Sequence, residues 1–298
     1  MRVALVVNTA SGSASAELTP GAIRARIEAT GISVVPEPTP DAALPARLAA
    51  AADLPGIDAV VVAGGDGTIG CAAATLVGRD IALALLPLGT MNLLAKDLGI
   101  PLDLDGAVAC LVANRQTRID VGEVNGSVFL ISSVLGMAAR VARHREAQRH
   151  GFSPRALLRW AFGMVRHLGR YPRLTVTGTV DGQRRQLRFR LLAVVVGDYV
   201  TRPGEGLLRA PLDGGRLTLY VIRKLSLRRG LRLALGFAIG DWRQLPEVER
   251  AEIGDLTIAS QRRALRVMND GEVRLLASPL HYRIRPRALA VIVPEERP

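Results

Sequence analysis

Val60–Thr68 reads Val-Val-Val-Ala-Gly-Gly-Asp-Gly-Thr, an apolar run that breaks into three glycines around one aspartate. Glycine lets a backbone turn tightly and approach a ligand with no Cβ in the way. A helix starting at Thr68 would aim free N–H groups and the positive end of its dipole at a phosphate-sized anion. Asp66 inside such a nest repels bare phosphate, so it asks for a bridging cation or a hydrogen-bonding task. Mg2+, which favours a few carboxylates together with substrate phosphates, meets the first demand.

Two further segments carry donors of the same kind. Asn8-Thr9-Ala10-Ser11-Gly12 follows the apolar run Arg2–Val7, and Gly89-Thr90-Met91-Asn92 follows Ile81–Leu86. In an open α/β sheet, ligands bind outside the carboxyl ends of the strands. One Gly/Ser/Thr/Asn tip is ordinary turn chemistry; convergence of these tips on one edge points to a phosphate or ribose site. Gly65-Asp-Gly67-Thr-Ile-Gly70 formally matches the dinucleotide fingerprint, but it follows the third strand. The next strand also ends in Pro87-Leu88-Gly89 rather than in a ribose-binding acid. A Walker A sequence is absent.

The elements that must hold these tips follow from pattern. Arg2–Val7, Ile32–Pro36, Asp58–Ala63 and Ile81–Leu86 are short and rich in Val, Leu, Ile and Ala, as buried parallel strands are. Between them lie Ala22–Ala29 and Ala42–Ala52, the latter introduced by Thr39-Pro40-Asp41 as a helix start. This alternation predicts an open α/β domain over residues 1–118.

After Arg118 the pattern becomes antiparallel. Asp120–Val124 and Val128–Ser132 flank Asn125-Gly126, and Leu174–Val180 and Leu187–Val196 flank Asp181-Gly182, both type I′ hairpin signals. Arg216–Ile222, Leu256–Ile258, Leu265–Met268 and His281–Ile284 continue as short strands. Helical stretches at Pro154–Leu168 and Leu227–Ile239 interrupt them. The expectation for 119–287 is a β-sandwich-like domain with helical insertions. Ala288–Val293, apolar throughout, is free to return to either sheet as a C-terminal strand over 288–298.

Composition narrows the partners. The 298-residue chain carries a net charge of +12, which draws it toward nucleotides, nucleic acid or an anionic membrane. Its two cysteines, Cys71 and Cys110, exclude a disulfide framework, and the four histidines show no ligand spacing. No apolar run reaches bilayer-spanning length, and the N-terminal run is too short for a signal peptide. A cytoplasmic protein is expected. Pro154–Leu168, within the basic stretch Arg140–Arg173, reads either as an amphipathic helix resting on anionic lipid or as a core helix with a solvated basic face. Nucleic acid is disfavoured, since no recognition motif or stacking platform accompanies the charge.

Val-Val-Ala-Gly-Gly-Asp-Gly-Thr (61–68) followed by Leu-Pro-Leu-Gly-Thr-Met-Asn-Leu-Leu-Ala-Lys-Asp-Leu-Gly-Ile-Pro (86–101) resembles the diacylglycerol kinase catalytic-domain family, which includes bacterial lipid kinases, sphingosine kinases and ceramide kinases. The similarity continues at Ile119-Asp120-Val121-Gly122, Ala210-Pro-Leu-Asp213-Gly and Asn269-Asp270-Gly271-Glu272. The resemblance implies ATP and substrate in a cleft between an α/β domain and a β-sandwich domain. Asn8, Ser11 and Gly12 would lie near the nucleotide. Gly64, Gly65, Gly67 and Thr68 would hold its phosphates, with Asp66 placing them directly or through Mg2+. Thr90 and Asn92 would complete the pocket. Asp270 matches the family's general base, with Glu272 beside it.

Some positions depart from the family pattern. Asn8-Thr9 stands where Asn-Pro is usual, and Leu93 where relatives often carry Asp. Asp213-Gly214-Gly215 replaces Asp-Asp-Gly, which puts in doubt a structural metal site at Asp213. The expectation is an ATP- and Mg2+-dependent kinase of a lipid hydroxyl, diacylglycerol or sphingoid-type, associated peripherally with an anionic membrane and possible as a homodimer. Kinase action on a soluble acceptor such as NAD is the first rival. A non-catalytic nucleotide- or lipid-binding protein is the second.

Overall fold

A computed structural model describes residues 1–8, 19–136, 174–180, 182–200, 208–224, 226–239 and 241–295. Both the 140–173 basic stretch with its expected helix at 154–168 and the tip residues Ser11 and Gly12 lie outside the described residues.

The N-terminal half is the expected open α/β sheet. Strands β1 (Arg2–Val7), β2 (Ser33–Val35), β3 (Ala59–Gly64) and β4 (Ala82–Pro87) run parallel in the order β2-β1-β3-β4. Every residue of β3 and β4 is buried, which explains why their sequences are apolar without alternation. Helices α1 (Pro20–Glu28), α2 (Leu44–Ala52), α3 (Asp66–Leu76), α4 (Leu93–Leu98) and α5 (Leu104–Ala113) connect them. Thr19 caps α1 by accepting the Ala22 N–H at 3.2 Å, and Asp103 caps α5 by accepting the Gly106 N–H at 2.8 Å.

Three helix starts differ from expectation. Helix α1 begins at Pro20, not Ala22. Helix α2 begins at Leu44, not Ala42, with Pro45 in its first turn. Thr39-Pro40-Asp41 forms the turn before it. Helix α3 begins at Asp66, not Thr68, with Gly65 at its N-cap. That shift places the Asp66 side chain in the first helical turn rather than in a loop.

The C-terminal half is a two-sheet sandwich, but one of its sheets is continuous with the first domain. Strands β5 (Arg115–Val124), β6 (Ser127–Phe129), β8 (Leu174–Val180), β9 (Gln183–Phe189), β13 (Asp255–Ala259) and β16 (Leu280–Val293) extend the parallel strands into one ten-stranded sheet. The second sheet has six strands, ordered β12-β11-β10-β7-β14-β15. These are β7 (Ser132–Gly136), β10 (Leu191–Val196), β11 (Leu217–Ile222), β12 (Glu249–Ile253), β14 (Ala264–Asn269) and β15 (Glu272–Ala277). Phe129, Phe189, Leu192, Leu256 and Tyr282 fill the layer between the sheets. Burying one such side chain contributes about 1.5–3 kcal/mol.

Three strand expectations are corrected. Val128–Ser132 is not one strand: β6 ends at Phe129 in the ten-stranded sheet and β7 starts at Ser132 in the other. Leu187–Val196 is not one strand: β9 ends at Phe189 and β10 starts at Leu191 in the other sheet, so the chain turns a corner at Arg190. Conversely, His281–Ile284 and Ala288–Val293 are parts of the single 14-residue strand β16. Its register against β5 shifts between Arg285 and Leu289, where Pro286 offers no N–H and Arg287 takes φ +47°. Its first part pairs with β13, and beyond the bulge Val291 pairs in parallel with Leu83 of β4. Helix α6 (Leu227–Ile239) covers the outer face of the six-stranded sheet, where Leu233 packs with Tyr220 and Trp242.

Candidate active site

The strand order reverses between β1 and β3, since β1 leads to β2 on one side and β3 lies on the other. Such a switch point opens a crevice at the carboxyl ends of the strands. Asn8 leaves β1 there, with its backbone N–H on the Ala63 carbonyl (2.9 Å) and its side-chain amide on Thr68 Oγ1 (2.8 Å). Thr68 is thereby buried against Gly64, where a Cβ would lie 2.7 Å from the threonine side chain. Gly64 is therefore required by packing, not by an unusual backbone angle.

Asp66 does not point its charge at an empty nest. Its Oδ2 accepts the Asn92 N–H (3.0 Å) and its Oδ1 the Leu93 N–H (2.7 Å). The carboxylate thus satisfies two of the orphan donors that begin α4, where negative charge is favoured. Asn92, at φ +48°, closes the second loop on itself. Its Oδ1 accepts the Gly89 N–H (2.9 Å) and its amide donates to the Gly89 carbonyl (2.8 Å). Gly89 packs so tightly on the first loop that a Cβ there would lie 2.6 Å from the Gly65 Cα. Thr90 is exposed on the rim. No side chain caps the start of α3, so its first-turn N–H groups remain available to an anion.

The opposite wall comes from the β14–β15 hairpin, which turns through Asp270 (φ +48°) and Gly271 (φ +92°) as a type I′ turn requires. The Asp270 carboxylate is held from behind by three backbone N–H groups: Leu130 on Oδ2 (2.6 Å), Ile131 on Oδ1 (2.9 Å) and Ser132 on Oδ1 (2.9 Å). Burial pushes this carboxyl above its ordinary value, against the pull of those N–H groups and of the Arg209 cation. Each carboxylate oxygen has two lone pairs, so Oδ2 keeps one for a further donor. Tyr199, hydrogen-bonded to Ser132, stands nearby; burial holds its phenol up, hence neutral.

One cleft of about 1240 Å³ joins these parts: β6 packs against α3, and its Ser127 accepts a hydrogen bond from Arg274 of the hairpin (3.0 Å). Asn8, Gly65, Asp66, Gly67, Thr68, Gly89 and Thr90 line one wall, and Asp270 and Glu272 the other. Glu272 faces Gly67, where a Cβ would lie 3.2 Å from its Oε1.

Three charged residues of this region were not singled out from the sequence. Arg274 lines the cleft, bonded to Glu272 Oε2 (3.1 Å) and Ser127 Oγ (3.0 Å). Its place two residues after Glu272 on a strand was the signal available, since i and i+2 share a face. Asp97 and Arg209 form an ion pair (2.6 Å) with side chains only 2% and 0% exposed. Nothing in their local sequence marks them, because the pairing spans 112 positions.

Among the described residues, no group of three or more acidic, histidine or cysteine side chains could cage a metal. Mg2+ needs no such cage when phosphates and water supply most of its ligands. The free lone pairs of Asp66 suit a water-mediated contact of that sort. Asp213 has an arginine as its partner. Its carboxylate faces the Arg287 guanidinium at 3.8 Å, and neighbouring Asp120 is occupied by the N–H groups of Gly215 (2.6 Å) and Arg287 (2.8 Å). None of the described helices is long and apolar enough to cross a membrane.

Comparison with known proteins agrees with this architecture. Residues 2–124 match the diacylglycerol kinase catalytic domain, and residues 132–293 match the YegS C-terminal NAD kinase beta sandwich-like domain. A protein named diacylglycerol kinase from Mycobacterium tuberculosis (strain ATCC 25618 / H37Rv) is 31% identical over 305 residues, covering 98% of this chain and 95% of the relative. A Pseudomonas aeruginosa protein named "Probable lipid kinase YegS-like" is 29% identical over 249 residues, covering 82% and 79%. The crystal structure of a diacylglycerol kinase from Bacillus anthracis str. Sterne has the same fold, with a TM-score of 0.72 at 19% identity over 99% of this chain and 97% of that one. The chain belongs to the family of diacylglycerol kinases and YegS-like lipid kinases.

Proposed function

We propose that the protein transfers the γ-phosphate of ATP to the hydroxyl of a lipid, diacylglycerol or sphingoid-type, with Asp270 as general base. One observation carries this reading: a carboxylate fixed by three backbone N–H groups lines the same cleft as a glycine loop and an uncapped helix start. Phosphoryl transfer depends on in-line placement and charge neutralisation more than on covalent help. The N-terminus of α3 and the Gly65–Thr68 backbone hold the phosphates, and Asn8 fixes Thr68 beneath them. Asp66 ties the Gly89–Asn92 loop to this wall, so both nucleotide loops move as one. Asp66 would hold Mg2+ through water, and the ion when bound would supply positive charge near the transferring oxygens. Asp270 Oδ2 takes the proton of the acceptor hydroxyl as that oxygen attacks phosphorus.

A lipid acceptor is supported by the names of the relatives and by an anionic-membrane-compatible surface. Helix α6 carries Arg228, Arg229 and Arg232 on a segment whose Leu235 is 66% exposed. The likeness of the second domain to the NAD kinase sandwich keeps NAD as the second reading. Radiolabelled ATP offered with diacylglycerol, a sphingoid base and NAD separates the two. Label transferred to lipid, and lost in Asp270→Asn while ATP still binds, is the expected outcome. Transfer to NAD alone would sink the lipid reading. ATP binding without transfer to any acceptor would mark a non-catalytic binding protein.

A further inference from the structure

Burying the two charges of the Asp97–Arg209 pair is repaid only with near-complete hydrogen bonding. That bonding is present, and its direction is informative. Arg209 Nε (2.9 Å) and Nη2 (2.6 Å) both donate to Asp97 Oδ2, and the Arg209 backbone N–H donates to Oδ1 (2.9 Å). The remaining arm, Nη1, reaches the Leu130 carbonyl (2.8 Å) and the Val196 carbonyl (2.9 Å). The peptide unit whose carbonyl belongs to Leu130 has its N–H on Ile131, and that N–H donates to Asp270 Oδ1 (2.9 Å). One peptide plane therefore receives Arg209 on one side and gives a hydrogen bond to Asp270 on the other.

Asp97 lies on α4, whose first N–H groups are held by Asp66. The hydrogen-bonded route runs from Asp66 through α4 to Asp97, on to Arg209, across the Leu130–Ile131 peptide, and ends at Asp270. It crosses from the nucleotide wall of the cleft to the acceptor wall, with the Asp97 and Arg209 side chains buried between them. A chain of polarised hydrogen bonds in a low-dielectric interior is stiff and directional.

Resting on the phosphotransfer reading above, we infer that Arg209, clamped by Asp97, is a positioning residue that sets the Asp270 carboxylate relative to the nucleotide loops. Lysine cannot do this work. It has no planar fork, so a single ammonium cannot serve Asp97 and the Leu130 and Val196 carbonyls together.

The test compares wild type, Arg209→Lys and the double variant Asp97→Leu/Arg209→Met. The double variant removes both charges and leaves neither orphaned, so loss of folding does not mask the result. Expected are a kcat for lipid phosphorylation lower by roughly a hundredfold, the cost of displacing a reacting group by about 1 Å, and a KM for ATP within about threefold of wild type, as a loss confined to the transition state predicts. Amide exchange at Ile131 and Ser132 speeds up in both variants, while exchange in β1 and β3 is unchanged. Wild-type kcat in either variant overturns the inference. So does a loss of kcat matched by equal losses of ATP affinity and thermal stability, which marks a merely structural pair. If wild-type protein phosphorylates no acceptor, the catalytic reading falls separately. The exchange rates at Ile131 and Ser132 then decide whether Arg209 holds the Asp270 cradle.

Discussion

The Asp66 carboxylate receives the backbone N–H groups of Asn92 and Leu93, one on each oxygen, and so joins the glycine loop to the start of α4. A residue that looks from sequence like a direct phosphate or metal contact is also the cap of a neighbouring helix. Asp66→Ala leaves two donors unmet and detaches the Gly89–Asn92 loop from the wall it completes. The expected stability loss is about 1–2 kcal/mol, in the range of a lost helix cap. ATP affinity falls further than that figure accounts for, because the pocket opens. Urea unfolding and equilibrium nucleotide binding measure the two effects; unchanged ATP affinity would contradict the loop-joining role.

Gly89 and Gly70 make a contrasting pair. A Cβ on Gly89 meets the Gly65 Cα at 2.6 Å and Asn92 Oδ1 at 2.7 Å, so Gly89→Ala must push the two loops apart. Gly70, inside α3, has nothing within 4 Å of its Cβ position. Gly70→Ala is expected to raise stability by about 0.5–1 kcal/mol through helix propensity. Gly89→Ala is expected to lower ATP affinity at least about tenfold, the equivalent of 1.4 kcal/mol. Thermal unfolding and nucleotide titration of the two variants side by side check both signs.

The base role proposed for Asp270 requires its ionised form, and its folded-state value is raised above the ordinary one. The ionised fraction therefore rises with pH through a value above about 3.9. The pH profile of kcat/KM should climb on an acid limb displaced upward from an ordinary aspartate and then level off. The charged and titratable groups facing Asp270 are Arg209, which favours ionisation, and Tyr199, which burial keeps protonated. Arg209→Gln removes the favourable cation, so the limb moves to higher pH. A limb that moves to lower pH, or stays in place, contradicts this assignment of charges.

The parallel strands and the glycine loops were legible because each is written in consecutive residues. Buried parallel strands are apolar throughout, and a phosphate-binding turn must place its glycines together. The Asn125-Gly126 hairpin was legible for the same reason. What local pattern does not carry is long-range placement. Strand β16 reads as two strands because Pro286 and Arg287 interrupt it, yet the bulge they form keeps one continuous ladder with β5. The corner at Arg190 is hidden inside a uniformly apolar run. The Asp97–Arg209 pair is invisible locally, since a single aspartate and a single arginine look like ordinary surface charges until the fold buries them together.

Arg274 provides the last contrast, between charge and shape. It neutralises Glu272 at 3.1 Å, and Glu272 in turn faces Gly67 at the start of α3, where the phosphates of a nucleotide would rest. With Arg274→Ala the glutamate charge stands uncompensated beside those phosphates. The pair is about half exposed, so solvent screens much of the effect. A rise in the KM for ATP of roughly three- to tenfold is expected, equivalent to about 0.7–1.4 kcal/mol. Salt should reduce it, because repulsion between partly exposed charges weakens as the Debye length shortens. Glu272→Gln combined with Arg274→Ala removes both charges and should restore much of the affinity. A KM that rises equally in the single and double variants, at low and high salt alike, would show that Arg274 contributes contact or shape, not charge balance.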